Sequence, residues 1–253
     1  MTKILPHRKS ISNKAFTIVE LLVAIAVVAI LAGILIAVIG SGRERALEAR
    51  SASQLRQLGN ALLLLAQDNQ GNYEFRIGGS VGGGSSNVYQ TWPLMLQRKF
   101  GELEFPRQAF WDDLSLVDFD DRDDTNNWHL RPSFGLNQLP ASAEGSLPWR
   151  QRMDGNLRIG SLNINFIDEP NKRFLLGTSM QSSGRGAHTI VNTAASTAGS
   201  IQARFRKDSS RHALLYYFDG RVSSADAKEL TEQGFTSGYG ANQTEIISFT
   251  ASQ

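Results

Sequence analysis

The side chains with chemistry to offer sit at the head of the chain. Glu20 is the only carboxylate between Lys14 and Gly40, and Leu21 to Ile39 holds no charge, proline or strongly polar side chain. An acid in such a run costs a few kcal/mol in lipid and by default marks a site with a partner. Phe16 lies four residues earlier, behind a short basic leader, Met1 to Ala15. Were the backbone cut after Ala15, the amine of Phe16 would become a positive charge one helical turn from Glu20. The same spacing lets Glu20 reach the Phe16 amine of a neighbouring copy. That chemistry is ion pairing and hydrogen bonding, not turnover.

The element that must position these groups is a helix. About twenty apolar residues cross a hydrocarbon core, and the run from Phe16 to Gly40 is long enough. A secretory signal peptide has a shorter apolar core followed by a small-residue cleavage site, and Gly40-Ser41-Gly42-Arg43 offers none. A plain signal anchor explains the length but neither Glu20 nor Phe16. Beyond the run, Leu47, Leu55, Leu58, Leu62 and Leu65 recur at helical spacing, predicting an amphipathic continuation. The pattern stops at Asp68-Asn69-Gln70-Gly71-Asn72, with Gly71 the expected cap. A helix from Phe16 to about Gln67 would measure about 78 Å. Gly33 and Gly40 are its points of expected weakness.

The stretch Ala15-Phe16-Thr17-Ile18-Val19-Glu20-Leu21-Leu22-Val23 resembles the cleavage site of type IV prepilins and type II secretion pseudopilins. The resemblance implies a membrane peptidase that cuts between Ala15 and Phe16 and methylates the Phe16 amine. It also makes Glu20 the assembly residue. Ala15 stands where the family usually has glycine. Lys3, Arg8, Lys9 and Lys14 precede the span and Arg43, Arg45 and Arg50 follow it closely, so charge counting does not orient it. The resemblance places the leader in the cytoplasm.

Composition bounds the remainder. About 185 residues follow the helix, enough for one head with its own core. The formal charge of +2 owes much to the leader, without which acids outnumber bases, so no global charge favours nucleic acid. There is no cysteine, which excludes disulfides, a lipoprotein anchor and thiol chemistry. Residues 78–87, rich in Gly and Ser, read as a flexible loop without the Lys-Ser/Thr of a phosphate-binding loop. Tyr89 to Trp111 supplies aromatics and one short helix. Strands are predicted at Leu157–Ile167, Arg173–Thr178, His212–Val222 and Glu245–Phe249. Asp219-Gly220 is a hairpin signal. The fold class is therefore α+β, a long N-terminal helix packed on an antiparallel sheet.

Arg131-Pro132-Ser133-Phe134-Gly135-Leu136-Asn137, with His212 and Asp219-Gly220 downstream, resembles the later motifs of large pseudopilin-like proteins. His212 and Asp219 could ligate a metal, or His212 could be a strand residue and Asp219 a turn former. Seven aspartates fall between Asp112 and Asp124. Among them Asp118, Asp120, Asp121 and Asp123 are candidate Ca²⁺ ligands, although Arg122 sits between them and no EF-hand spacing fits. The alternative is a solvated acidic loop. Arg150, Arg152 and Arg158, and Arg204, Arg206, Lys207 and Arg211, form basic clusters that read as solvated faces. No serine elbow, HExxH or dinucleotide fingerprint is present, so no catalytic residue and no cofactor are expected.

These readings converge on a leader (1–15), an assembly and membrane helix (16–40), its amphipathic continuation (41–70) and an extracytoplasmic head (71–253). The resemblance implies a non-enzymatic, single-pass inner-membrane subunit that later joins a pilus or pseudopilus. Its implied partners are the prepilin peptidase/methyltransferase, other pilin or pseudopilin subunits and the inner-membrane assembly platform. Secretion pseudopilus, retractile pilus and DNA-uptake fibre all fit. A minor tip subunit holding a secreted substrate or DNA, and a membrane-anchored periplasmic enzyme, are the alternatives.

Overall fold

A computed structural model describes residues 17–79, 91–111, 129, 132–138, 149–155, 157–181, 187, 189–190, 200–201, 204–205, 211–239 and 246–248. The chain divides into two compact units, residues 1–46 and 47–253.

In the first unit, α1 (Ile18–Asp68) begins, and its backbone stays helical through Gly33 and Gly40. Every large apolar side chain from Ile18 to Leu35 is exposed, from 49% at Val27 to 80% at Ile18. Each such side chain forgoes about 1.5–3 kcal/mol by remaining in water. Ile18–Leu35 is long and apolar enough to cross a membrane.

In the second unit the same helix changes character. Leu55, Leu58, Leu62 and Leu65 are buried on one face, joined by Ser51, Ala61 and Ala66, while Leu47 is half-buried. The helix ends in a Schellman turn, with Gly71 N–H donating to Ala66 O (2.8 Å) and Gln70 N–H to Gln67 O (3.1 Å). The left-handed cap position therefore falls to Gln70 (φ 59), and Gly71, expected there, is one residue further on. Gly71 is nonetheless required, since a Cβ would sit 2.2 Å from the Asn165 side chain.

Strand β1 (Asn72–Gly79) follows at once, with Tyr73 and Phe75 turned into the core. Gly78 and Gly79, assigned from sequence to a loop, pair instead with Arg158 and Leu157. After α2 (Trp92–Phe100), whose Trp92 and Leu96 are buried, come β2 (Phe134–Asn137), β3 (Trp149–Asp154) and β4 (Leu157–Asn163). β4 stops four residues short of its predicted end because Asn163 accepts from Asn165 N–H and starts a 3₁₀ turn over Ile164–Phe166. Then follow β5 (Phe174–Met180), β6 (Thr189–Ile190), β7 (Ser200–Ile201), β8 (Arg204–Phe205), β9 (Arg211–Tyr217) and β10 (Val222–Ala225). The chain continues with α3 (Ala227–Glu232), β11 (Ser237–Tyr239) and β12 (Ile246–Ser248).

One sheet runs β1-β4-β3 and a larger one β10-β9-β5-β2-β6, with β7 on β5 and β8 on β9. β11 pairs with β12 separately, and among the described residues every pairing is antiparallel except β2 with β6. This is the α+β arrangement that the sequence predicts. β9 shows why its strand reads as a continuous apolar run: Leu214 and Tyr216 join the core with the α1 leucines, while Ala213, Leu215 and Tyr217 join a second core with Leu230 and Phe235. Both faces are covered, so the period-2 signal disappears.

The α1–β9 contact is close. A Cβ on Gly59 would lie 2.3 Å from the Tyr216 ring, and the Tyr216 hydroxyl donates to Asn60 Oδ1 (2.7 Å). Gly59→Ala should therefore lower stability by about 1–3 kcal/mol, read as a drop in the unfolding midpoint of the detergent-solubilised chain. Burial, helped by the nearby Asp219 carboxylate, pushes the Tyr216 hydroxyl up to about 12 from 10.0. The folded state thus holds that proton more tightly than the unfolded chain. The associated stability is complete below pH 10 and is lost as pH rises toward 12. Tyr216→Phe should flatten that alkaline loss in a pH series of unfolding midpoints; an unchanged slope would contradict the assignment.

Candidate functional site

The first described residue, Thr17, is the N-cap of α1. Its N–H and its hydroxyl both donate to Glu20 Oε2, at 2.9 and 2.8 Å. In return Glu20 N–H donates to Thr17 Oγ1 at 3.2 Å, and Leu21 N–H to Thr17 O at 3.2 Å. This is a capping box, in which two backbone donors at the helix start find acceptors reciprocally. It also places a negative charge at the positive end of the helix dipole.

The geometry gives Glu20 a second occupation that the sequence reading missed. The signal was present, since Thr-x-x-Glu directly before an apolar run is the capping-box pattern. The two roles are compatible, because both donors from Thr17 converge on Oε2. Oε1 meets no donor among the described residues. One oxygen fixes the carboxylate on its helix and the other stays open to a cation.

Ala15 and Phe16 lie outside the described residues, as do Asp118, Asp120, Asp121 and Asp123. His212 and Asp219 are described, and the structure does not bring them together. His212 is the second residue of β9, paired with Arg204, and Asp219 lies in the turn beyond the other end of that strand. Asp219 Oδ1 accepts from Arg221 N–H (3.0 Å), and Gly220 adopts φ 86. Tyr217 N–H donates to Arg221 O (2.8 Å) and Gly220 N–H to Tyr217 O (3.0 Å). The hairpin is thus a turn with a left-handed glycine closing a three-residue loop, rather than a two-residue loop. Asp219 serves the turn.

Residues 11–36 match the family model for the prokaryotic N-terminal methylation motif. No curated protein and no solved structure matches the chain. The match encloses the leader's end, Phe16, Thr17, Glu20 and the exposed apolar stretch, so the motif and the capping geometry fall on the same residues.

Thr17→Val keeps the side-chain shape and deletes the hydroxyl. It should fray the start of α1 by about 1 kcal/mol, seen as faster amide exchange at Ile18 to Leu21 in micelles, whereas Thr17→Ser should not. Equal exchange in the two variants would contradict the capping role.

Proposed function

We propose that this prepilin-peptidase substrate of the type IV pilin and pseudopilin class is a structural subunit of a helical filament, with no enzymatic activity of its own. The observation that carries the reading is Glu20, a carboxylate on an exposed apolar helix inside a methylation motif. In the membrane, the chain waits as a single-pass protein with its head outside the cytoplasm. The peptidase cuts after Ala15, and the freed Phe16 amine, methylated or not, is protonated at neutral pH. Glu20 of an incoming subunit then offers its open oxygen to the Phe16 amine of a neighbour. A charge-assisted hydrogen bond replaces a poorly solvated charge.

The pairing sets the axial register, and burial of the Ile18–Leu35 side chains against neighbouring copies supplies the bulk of the association energy. A head-to-tail contact of this kind does not close, so it generates a helix. Membrane anchoring follows from the same helix; the inner membrane and a periplasmic head belong to this proposal.

Mass spectrometry of the mature chain should show an N-terminus at N-methyl-Phe16, dependent on a co-expressed prepilin peptidase. Glu20→Ala should leave membrane insertion and cleavage intact while abolishing recovery of the chain in sheared filaments. A mature chain that still begins at Met1, or a Glu20→Ala variant that assembles normally, would overturn the reading. Copy number in sheared filaments separates a bulk subunit from one at the tip.

A further inference from the structure

Glu20 and Arg43 bound the apolar part of α1, since no charged residue lies between them. The backbone is helical throughout that interval, so the two stand about 35 Å apart along the axis. A hydrocarbon core is about 30 Å thick, and each headgroup layer adds about 5–7 Å. With Glu20 at one boundary, Arg43 reaches the headgroup layer of the opposite leaflet. Arg45 follows about 3 Å further out. All three residues belong to the first unit.

Nothing in the assembly reading uses these arginines. Both are exposed, and neither meets a carboxylate among the described residues. The helix beside them is bare as well, because a Cβ on Gly42 would meet nothing within 4 Å. In the orientation proposed above they stand outside the cytoplasm, where basic residues next to a span are ordinarily depleted. Two such cations need a counter-charge.

Their placement around the helix decides which kind. Each residue turns the helix by about 100°, so Arg43 and Arg45 lie about 200° apart, on nearly opposite sides. One neighbouring copy would cover one side and leave the other arginine uncovered. A phospholipid leaflet surrounds the helix at this depth and offers phosphodiester oxygens on every side. The guanidinium fork matches those oxygens with two parallel N–H donors. The long arginine stems adjust their height to meet them. Glu44 separates the two in sequence, leaving two cations to one anion, so the collar favours a leaflet of net negative charge.

We propose that Arg43 and Arg45 form a lipid-binding collar for the phosphate groups of anionic phospholipids in the leaflet on the head's side. The collar sets the depth of the apolar helix while the subunit waits in the membrane, and so keeps Glu20 at the opposite boundary. The proposal rests on the single-pass reading above.

A fluorophore on Gly42→Cys reads the lipids beside the collar, in a full-length chain with no other cysteine. In phosphatidylcholine vesicles, phosphatidylglycerol with a nitroxide on its acyl chain should quench it about fivefold more strongly than nitroxide-labelled phosphatidylcholine. Such quenching is short-ranged, so the cations of the leader, at the other leaflet, go unread. Adding Arg43→Gln and Arg45→Gln should make the two lipids equal. Arg98→Gln, which removes an exposed charge from α2, should leave the preference intact. Equal quenching in the parent, or a preference that survives the double substitution, would each overturn the collar. A parent without preference whose doubly substituted form is lost from sheared filaments would assign the arginines to a neighbouring copy instead. Failure of the single-pass reading shows differently: an alkaline wash then strips the parent chain from the vesicles.

Discussion

A carboxylate on a lipid-length apolar helix must find donors, and the rest of this molecule is arranged around that demand. Glu20 meets half of it locally, since Thr17 supplies two donors to one oxygen. In the proposed filament the remaining oxygen is what makes the helix more than an anchor. Without the local half, the acid would be free to choose any rotamer and any partner. With it, the side chain is folded back toward the helix start, which is where the proposed assembly would bring a neighbour's terminal amine. Orientation is thus fixed before association, and less conformational freedom is left to lose on contact.

The two parts of α1 solve different problems with one backbone geometry. From Ile18 to Leu35 the apolar residues surround the helix, and no face is spared. From Ser51 onward they shrink to a single stripe, and the stripe meets a sheet. The change in residue pattern is a change in which partner covers the helix: lipid or other subunits in the first part, the chain's own strands in the second. Gly59 is where the second partner comes closest, because the Tyr216 ring occupies the space a side chain would need. The Tyr216 hydroxyl then reaches past it to Asn60.

Much of this could be read from the sequence, and the parts that could not have physical reasons. The helix, its leucine stripe and the α+β class followed from apolar periodicity, which long elements display plainly. β1 was hidden because its two glycines run straight into the Gly/Ser-rich sequence of residues 80–87, and what holds them in a strand is pairing with β4, eighty residues away in the chain. The exact helix end was displaced by one residue because Gln70 tolerates the left-handed conformation that glycine was expected to take. At the site, Glu20 was visible as an oddity in an apolar run, whereas Thr17 was not, because a threonine beside a hydrophobic segment is unremarkable until its three-residue partner is noticed. A charged cleft lined by Lys172, Arg173, Arg221 and Glu229 was invisible for another reason: its charges come from three separate stretches of chain that only the fold assembles.

The edges of the sheets carry a consequence for a molecule that, in the proposed filament, would line up beside its own copies. The seven-stranded sheet ends on β10, four residues long, and on β6, two residues long. The smaller sheet has longer rims, β1 with eight residues and β3 with six. The short borders of the larger sheet give little backbone for an adjacent chain to zip onto. In the proposed filament, the larger sheet would thereby offer crowded heads little edge on which to form amyloid-like ladders.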